Sequence, residues 1–165
     1  MSVAVVVGNP KPRSRTLQAA HLVARRLTGQ GPDLTLDLAD IGPALLDWSN
    51  VAVTALVGEV QSRSVAIFAS PTYKGSFTGL LKLFLDRMGS GALTGTTAVP
   101  LMLGGDQRHS LAPEVFLKPV LNELGASLPT PGLFLLEEEW DQPSALEPWL
   151  QRARPALART VVAAR

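Results

Sequence analysis

The chain contains no cysteine. That excludes disulfides, thiolate-held metals and a cysteine nucleophile, so any redox chemistry needs a group that the side chains do not supply. Histidine is nearly as scarce: the two present, His21 and His109, lie far apart in the chain, and no ligand cluster for a metal is visible. An excess of one charge is missing as well. Fifteen basic residues against 14 acidic ones leave a formal charge of +1, scattered along the chain, so neither a nucleic-acid stripe nor a polybasic membrane patch stands out. No apolar run is long enough to span a bilayer. The opening Val3-Ala-Val-Val-Val7 lacks a basic leader and a small-residue cleavage site, which makes it a strand and the cytoplasm the expected compartment.

What is present is a globular composition, 46% apolar and 18% charged over 165 residues. A chain of that size buries roughly 70% of its unfolded surface and folds without staples. No repeat, low-complexity tract or long linker divides it, so residues 1–165 are expected to form one domain.

Continuous apolar runs of strand length occur at Val3–Gly8, Ser64–Ser70, Ala98–Leu103 and Gly132–Leu136, the pattern of strands covered on both faces in a parallel sheet. Leu34-Thr-Leu-Asp-Leu38 alternates instead, as an edge strand covered on one side does. Helical patterns lie between them, over Thr16–Leu27, Val53–Gln61, Thr78–Met88, Leu111–Leu124 and Ser144–Ala163. The last carries Leu146, Trp149, Leu150, Ala153, Leu157 and Val161 on one stripe. Five alternating units with right-handed crossovers predict a doubly wound α/β fold with helices on both faces. Its flavodoxin-like strand order 2-1-3-4-5 places the ligand at the carboxyl ends of strands one and three. Gly42–Asn50 is the least regular stretch and reads as a packed loop, with Leu45, Leu46 and Trp48 over the sheet edge or against another subunit. Glu137-Glu-Glu139 reads as a solvated loop.

Two loops sit at that predicted crevice. Gly8-Asn-Pro-Lys-Pro-Arg-Ser-Arg-Thr16 gathers Lys11, Arg13, Ser14, Arg15 and Thr16 at the start of a helix, where unpaired N–H groups and the helix dipole favour an anion. Gly8 lets the chain turn out of the strand, and Ser14 or Thr16 can cap the helix while donating a hydroxyl to a phosphate oxygen. Neither Gly-x-Gly-x-x-Gly nor Gly-Lys-Ser occurs there, so a phosphate monoester fits better than a pyrophosphate or triphosphate. In the second loop, Pro71 fixes the turn, Tyr73 offers an aromatic surface and Gly75 permits close approach to a planar ring. A third loop, Gly104-Gly105-Asp106 followed by Gln107, Arg108 and His109, can again turn main-chain N–H groups toward a ligand.

Gly8-Asn-Pro-Lys with Ser14-Arg15-Thr16, then Ser70-Pro-Thr-Tyr-Lys-Gly-Ser-Phe-Thr-Gly-Leu-Leu-Lys82, then Gly104-Gly105, His109 and Leu117-Lys-Pro-Val-Leu121, resemble the NAD(P)H-dependent FMN reductase family over about residues 1–136. The likeness is greatest to the flavin reductases of two-component sulfonate monooxygenases. Asn9 stands where that family usually has Ser, and Lys11 where it usually has Arg; both swaps keep a polar group and a cation.

The resemblance implies a flavodoxin-like fold, FMN as the flavin and NAD(P)H as hydride donor, with a dimer or tetramer as the usual assembly. Reduced flavin would pass to a downstream acceptor such as a flavin-dependent monooxygenase or a quinone. It implies that Asn9, Lys11, Ser14, Arg15 and Thr16 hold the phosphate, and that Pro71, Thr72, Tyr73, Lys74, Gly75 and Ser76 line the ribityl chain and ring. Gly104, Gly105, Asp106 and His109 close the other side. No side-chain catalyst is expected, because flavin N5 carries the chemistry. The apolar Leu80, Leu81, Leu83, Phe84 and Leu85 form a face wider than one sheet contact needs, which agrees with an oligomer. One departure matters. Several sulfonate-type reductases carry an inserted aromatic in the helix before Leu-Lys-Pro, whereas Pro113-Glu-Val-Phe116 has no tyrosine there, so the expectation is a retained FMN rather than one that exchanges.

Overall fold

A computed structural model describes residues 1–163, and the side chains of 1–159. Five parallel strands, β1 (Val3–Val7), β2 (Leu34–Asp37), β3 (Val65–Pro71), β4 (Thr97–Gly104) and β5 (Leu133–Leu136), form one sheet in the order β2-β1-β3-β4-β5. This is the expected order, with the alternating strand at the edge. The register runs Val5 beside Ile67, Ile67 beside Val99 and Leu101 beside Leu133.

The apolar runs are continuous because each strand feeds two cores. Val3, Val5 and Val7, with Ile67, Ala69, Val99 and Leu101, pack under helices α1 (Arg15–Thr28) and α5 (Pro143–Ala163). Ala4 and Val6, with Ala66, Phe68 and Met102, face the other way, toward α2 (Val51–Gln61), α3 (Gly79–Leu85) and α4 (Lys118–Glu123). The period-2 side-chain alternation of a strand divides the residues in this way. Leu146, Trp149, Leu150, Ala153 and Leu157 are buried on α5, and Val161 lies outside the described side chains. Among the described residues no helix is long and apolar enough to cross a membrane.

Two expectations change. Leu111–Leu124 is not one regular helix. Pro113–Leu117 form a π-helical turn closed by the Lys118 N–H on the Pro113 carbonyl, and the α-helix begins only at Lys118. Proline at 119 has no N–H for an α-helical bond back to Val115, which favours displaced bonding in this turn. The width of the α3 apolar face has an internal explanation as well. Leu81, Phe84 and Leu85 are buried in the core on this side of the sheet, and Leu80 and Leu83 pack against the same core, as do Ile41 and Ala44 of the segment preceding α2, where Leu45 is buried. That segment folds as a 3-10 turn over Gly42–Leu46 and leaves Leu46 and Trp48 exposed, with the Arg87 guanidinium 5.2 Å from the Trp48 ring centroid.

Candidate functional site

The loop after β1 is built around α3 as much as around its own helix. Gly8 donates to the Ala69 carbonyl at 2.8 Å, and its own carbonyl accepts the Thr78 hydroxyl. That same hydroxyl caps α3 by accepting the Leu81 N–H at 3.2 Å. A Cβ at position 8 would stand 2.3 Å from the Leu81 Cβ. Gly8 does not have a positive φ, so it serves the close approach of β1 to α3 rather than a left-handed turn.

Beyond Gly8 the loop is braced from within. The Asn9 side-chain oxygen Oδ1 accepts the Lys11 N–H at 2.9 Å, and its side-chain Nδ2 donates to Thr16 Oγ1 at 3.0 Å. Asn9 and Thr16 are both buried. Ser14 caps α1 by accepting the Leu17 N–H at 3.3 Å. Both hydroxyls act there as acceptors, which leaves their own hydrogens for an anion. Arg13 turns aside: its φ is 51° and its N–H is taken by Asp37 Oδ2 at 2.9 Å.

The second loop is a tight turn. Tyr73 and Ser76 exchange two backbone hydrogen bonds, 2.8 and 3.1 Å, across Lys74 (φ 53°) and Gly75 (φ 80°). Two successive positive φ values make a type I′ turn, which glycine adopts freely and lysine only under constraint. The turn holds Tyr73 up into solvent, 52% exposed. Thr72 donates its N–H to the Leu103 carbonyl at 2.7 Å, but its buried hydroxyl has no partner.

A cleft of about 270 Å³ opens between these loops, lined by Asn9, Lys11, Ser14, Arg15, Thr16, Pro71, Tyr73, Leu103 and Glu137. All five residues expected to hold phosphate are in that lining, with Pro71 and Tyr73 of the second group. Thr72, Lys74, Gly75 and Ser76 lie just beyond it in the turn. Gly104 abuts Thr72: a Cβ there would stand 3.2 Å from Thr72 Oγ1 and 2.8 Å from the Phe134 ring. The His109 ring lies beside Gly75. Gly105 is exposed and touches nothing within 4 Å of a Cβ position.

Asp106 is engaged elsewhere. Its carboxylate accepts from the Arg108 N–H at 2.8 Å and from Arg108 Nε at 2.9 Å, and these bonds hold its carboxyl below the usual range. It caps the short turn carrying His109. Two features escaped the sequence reading. Glu137, assigned to a solvated loop, enters the cleft and approaches Arg15 at 3.7 Å. The stretch Pro113–Leu117 forms a π turn that includes the exposed Phe116, and no tyrosine is present.

That turn is clamped by Glu114, whose carboxylate accepts from Lys118 Nζ and from the Gly132 N–H, each at 2.6 Å. Burial raises the Glu114 pKa, but the Lys118 and Gly132 bonds outweigh it and leave it below the ordinary value. Its ionised form therefore stabilises the fold above the unfolded glutamate pKa of about 4.3, and that contribution fades as pH falls through the lower folded value. Glu114→Gln should lower the melting temperature at pH 7 and flatten its fall on acidification. Parallel acid profiles for the two proteins would contradict the clamp.

The cleft brings together a helix N-terminus, two hydroxyls and two cations beside the exposed Tyr73, a set of groups suited to a phosphate monoester. Residues 1–141 match the family model described as NADPH-dependent FMN reductase. The chain is 30% identical over 165 residues to an FMN reductase (NADPH) of Pseudomonas aeruginosa, covering 95% of this chain and 88% of that one. It is also 30% identical to the NADH-dependent FMN reductase SfnF of Pseudomonas fluorescens, with the same coverage of each chain. A solved NADH:FMN oxidoreductase in its apo form superposes with a TM-score of 0.82 at 29% identity, over 98% of this chain and 89% of that one. With loops, strand order and family model in agreement, the chain belongs to the NADPH-dependent FMN reductase family.

Proposed function

We propose that this protein, as one domain over residues 1–165, binds FMN at the cleft after β1 and β3 and reduces it with NADPH or NADH. The observation that carries this is the convergence of Lys11, Ser14, Arg15 and Thr16 with Pro71 and Tyr73 in one lining. The unpartnered Thr72 hydroxyl beside it supports the fit, since a buried hydroxyl without a bond is unfavourable until a ligand supplies one. Bound FMN supplies a ring nitrogen that accepts hydride directly from a nicotinamide. The chain's part is to bind and orient. Arg15, Lys11 and the first N–H groups of α1 hold the phosphate, while Ser14 and Thr16 donate their hydroxyl hydrogens to it. Tyr73 and the Lys74-Gly75 turn meet the ring, with Ser76 and Thr72 toward the ribityl chain. Gly104, Gly105 and His109 close the far side, and Asp106 acts through the turn that it caps.

The absence of a tyrosine in Pro113–Phe116 favours a retained FMN; against it, the cleft is polar and faces solvent, and on that ground we read the flavin as exchanging. Protein loaded with FMN should lose it on a desalting column, and varying FMN against nicotinamide should give intersecting lines. Flavin that stays through the column, with parallel lines against a quinone acceptor, would contradict exchange.

Released reduced flavin suits a flavin-dependent monooxygenase as the recipient, and water-soluble substrates suit the cytoplasm. Self-association is part of the same reading, through the exposed Leu111, Val115 and Phe116 around the π turn. Sedimentation as a monomer at micromolar concentration would contradict it.

A further inference from the structure

We propose that Glu137 sets how tightly the phosphate of FMN is held, by competing with it for Arg15. The inference rests on the FMN reading of the cleft. Glu137 is the first residue after β5, and its N–H donates to the Gly104 carbonyl at 3.0 Å, continuing the β4–β5 ladder. Its backbone is therefore fixed at the sheet's carboxyl end, where the side chain lines the same cleft as Lys11, Ser14 and Thr16. Glu137 Oε2 lies 3.7 Å from Arg15 Nη1, with both side chains partly exposed, at 42% and 64%.

The charged groups in that lining are Lys11, Arg15 and Glu137, a formal sum of +1. A phosphate monoester brings about −1.5 to −2 near neutral pH, more than this lining offsets. In the free protein the carboxylate takes the place of an anion beside the start of α1, a position where negative charge is favoured. FMN must displace that pairing and then sit near the displaced carboxylate. Phosphate affinity at this cleft is thus the difference between two anions at one guanidinium, which keeps the flavin releasable. Riboflavin, without a phosphate, does not enter that competition, so Glu137 acts on phosphorylated flavins alone.

The test is fluorescence titration of FMN and riboflavin into the parent protein, Glu137→Gln and Glu138→Gln. Glu138 is exposed and outside the cleft lining, so it controls for the general loss of one negative charge. Glu137→Gln should tighten FMN about three- to fivefold, the upper scale of one partly exposed charge interaction, and leave riboflavin unchanged within about 1.5-fold. Glu137→Ala should repeat the result without a hydrogen-bonding amide. Unchanged or weaker FMN binding overturns the proposal, as does equal tightening of both flavins or the same gain from Glu138→Gln. Failure of the parent protein to bind FMN overturns the reductase reading itself, which separates the two failures.

Discussion

Replacing Gly8 with Ala should lower the stability of the protein by about 3 kcal/mol or more, the upper range for forcing an added carbon into a packed interior. The new Cβ would stand 2.3 Å from the Leu81 Cβ, 2.9 Å from its Cα and 3.0 Å from its N, so the obstacle is mostly backbone and not a side chain that can rotate away. Relief requires β1 and α3 to separate. That separation strains the bond from the Thr78 hydroxyl to the Gly8 carbonyl and, through it, the cap of α3. For a chain of this length the loss corresponds to a fall of about 6–12 °C in melting temperature. The phosphate loop starts at the next residue, so FMN binding should weaken in whatever fraction remains folded. Gly31→Ala, where a Cβ meets nothing within 4 Å, is the matched control and should melt within a degree or two of the parent. If Gly8→Ala melts with Gly31→Ala, the close approach of β1 to α3 does not limit the fold.

Gly8 marks the boundary of what the sequence makes legible. A glycine ending a buried apolar run announces that something unusual happens there. A turn and a backbone contact produce the same letter, and only the packing of Leu81 decides between them. The sheet was readable because strands covered on both faces stay apolar at every position, and the edge strand was readable because Leu34 to Asp37 do not. The grouping of residues in the first cleft loop was readable because it is local: the six consecutive positions Lys11 to Thr16 carry the cations, the hydroxyls and the helix start.

Glu137 carried no such signal. Its role depends on the β4–β5 register bringing residue 137 beside residue 15, and three acidic residues after a strand look the same whether one of them faces a cleft or none does. The π turn was illegible for a different reason. Over five residues its periodicity departs from that of an α-helix by less than one position, and the signal available was Pro119, which withholds the N–H that an α-helical turn needs. At Asp106 the sequence could not separate two uses, because a cap and a ligand donor draw on the same residue type; the structure shows the cap.

Hydride transfer is the second large effect expected, and the central one. Hydride passes directly between the two rings, so the protein's contribution is to hold nicotinamide and flavin face to face, and well-oriented reacting pairs reach effective concentrations on the order of 10⁵–10⁸ M. The open side of the cleft, where Tyr73 stands exposed, is where the nicotinamide would arrive. The most direct measurement is stopped-flow mixing of the protein and FMN with NADPH, and separately with NADH, followed at the oxidised flavin band. The account predicts bleaching with at least one donor, at a rate that saturates with donor concentration and far exceeds that of the same mixture without protein. No bleaching with either donor, while dithionite still reduces the protein-bound FMN, would contradict it.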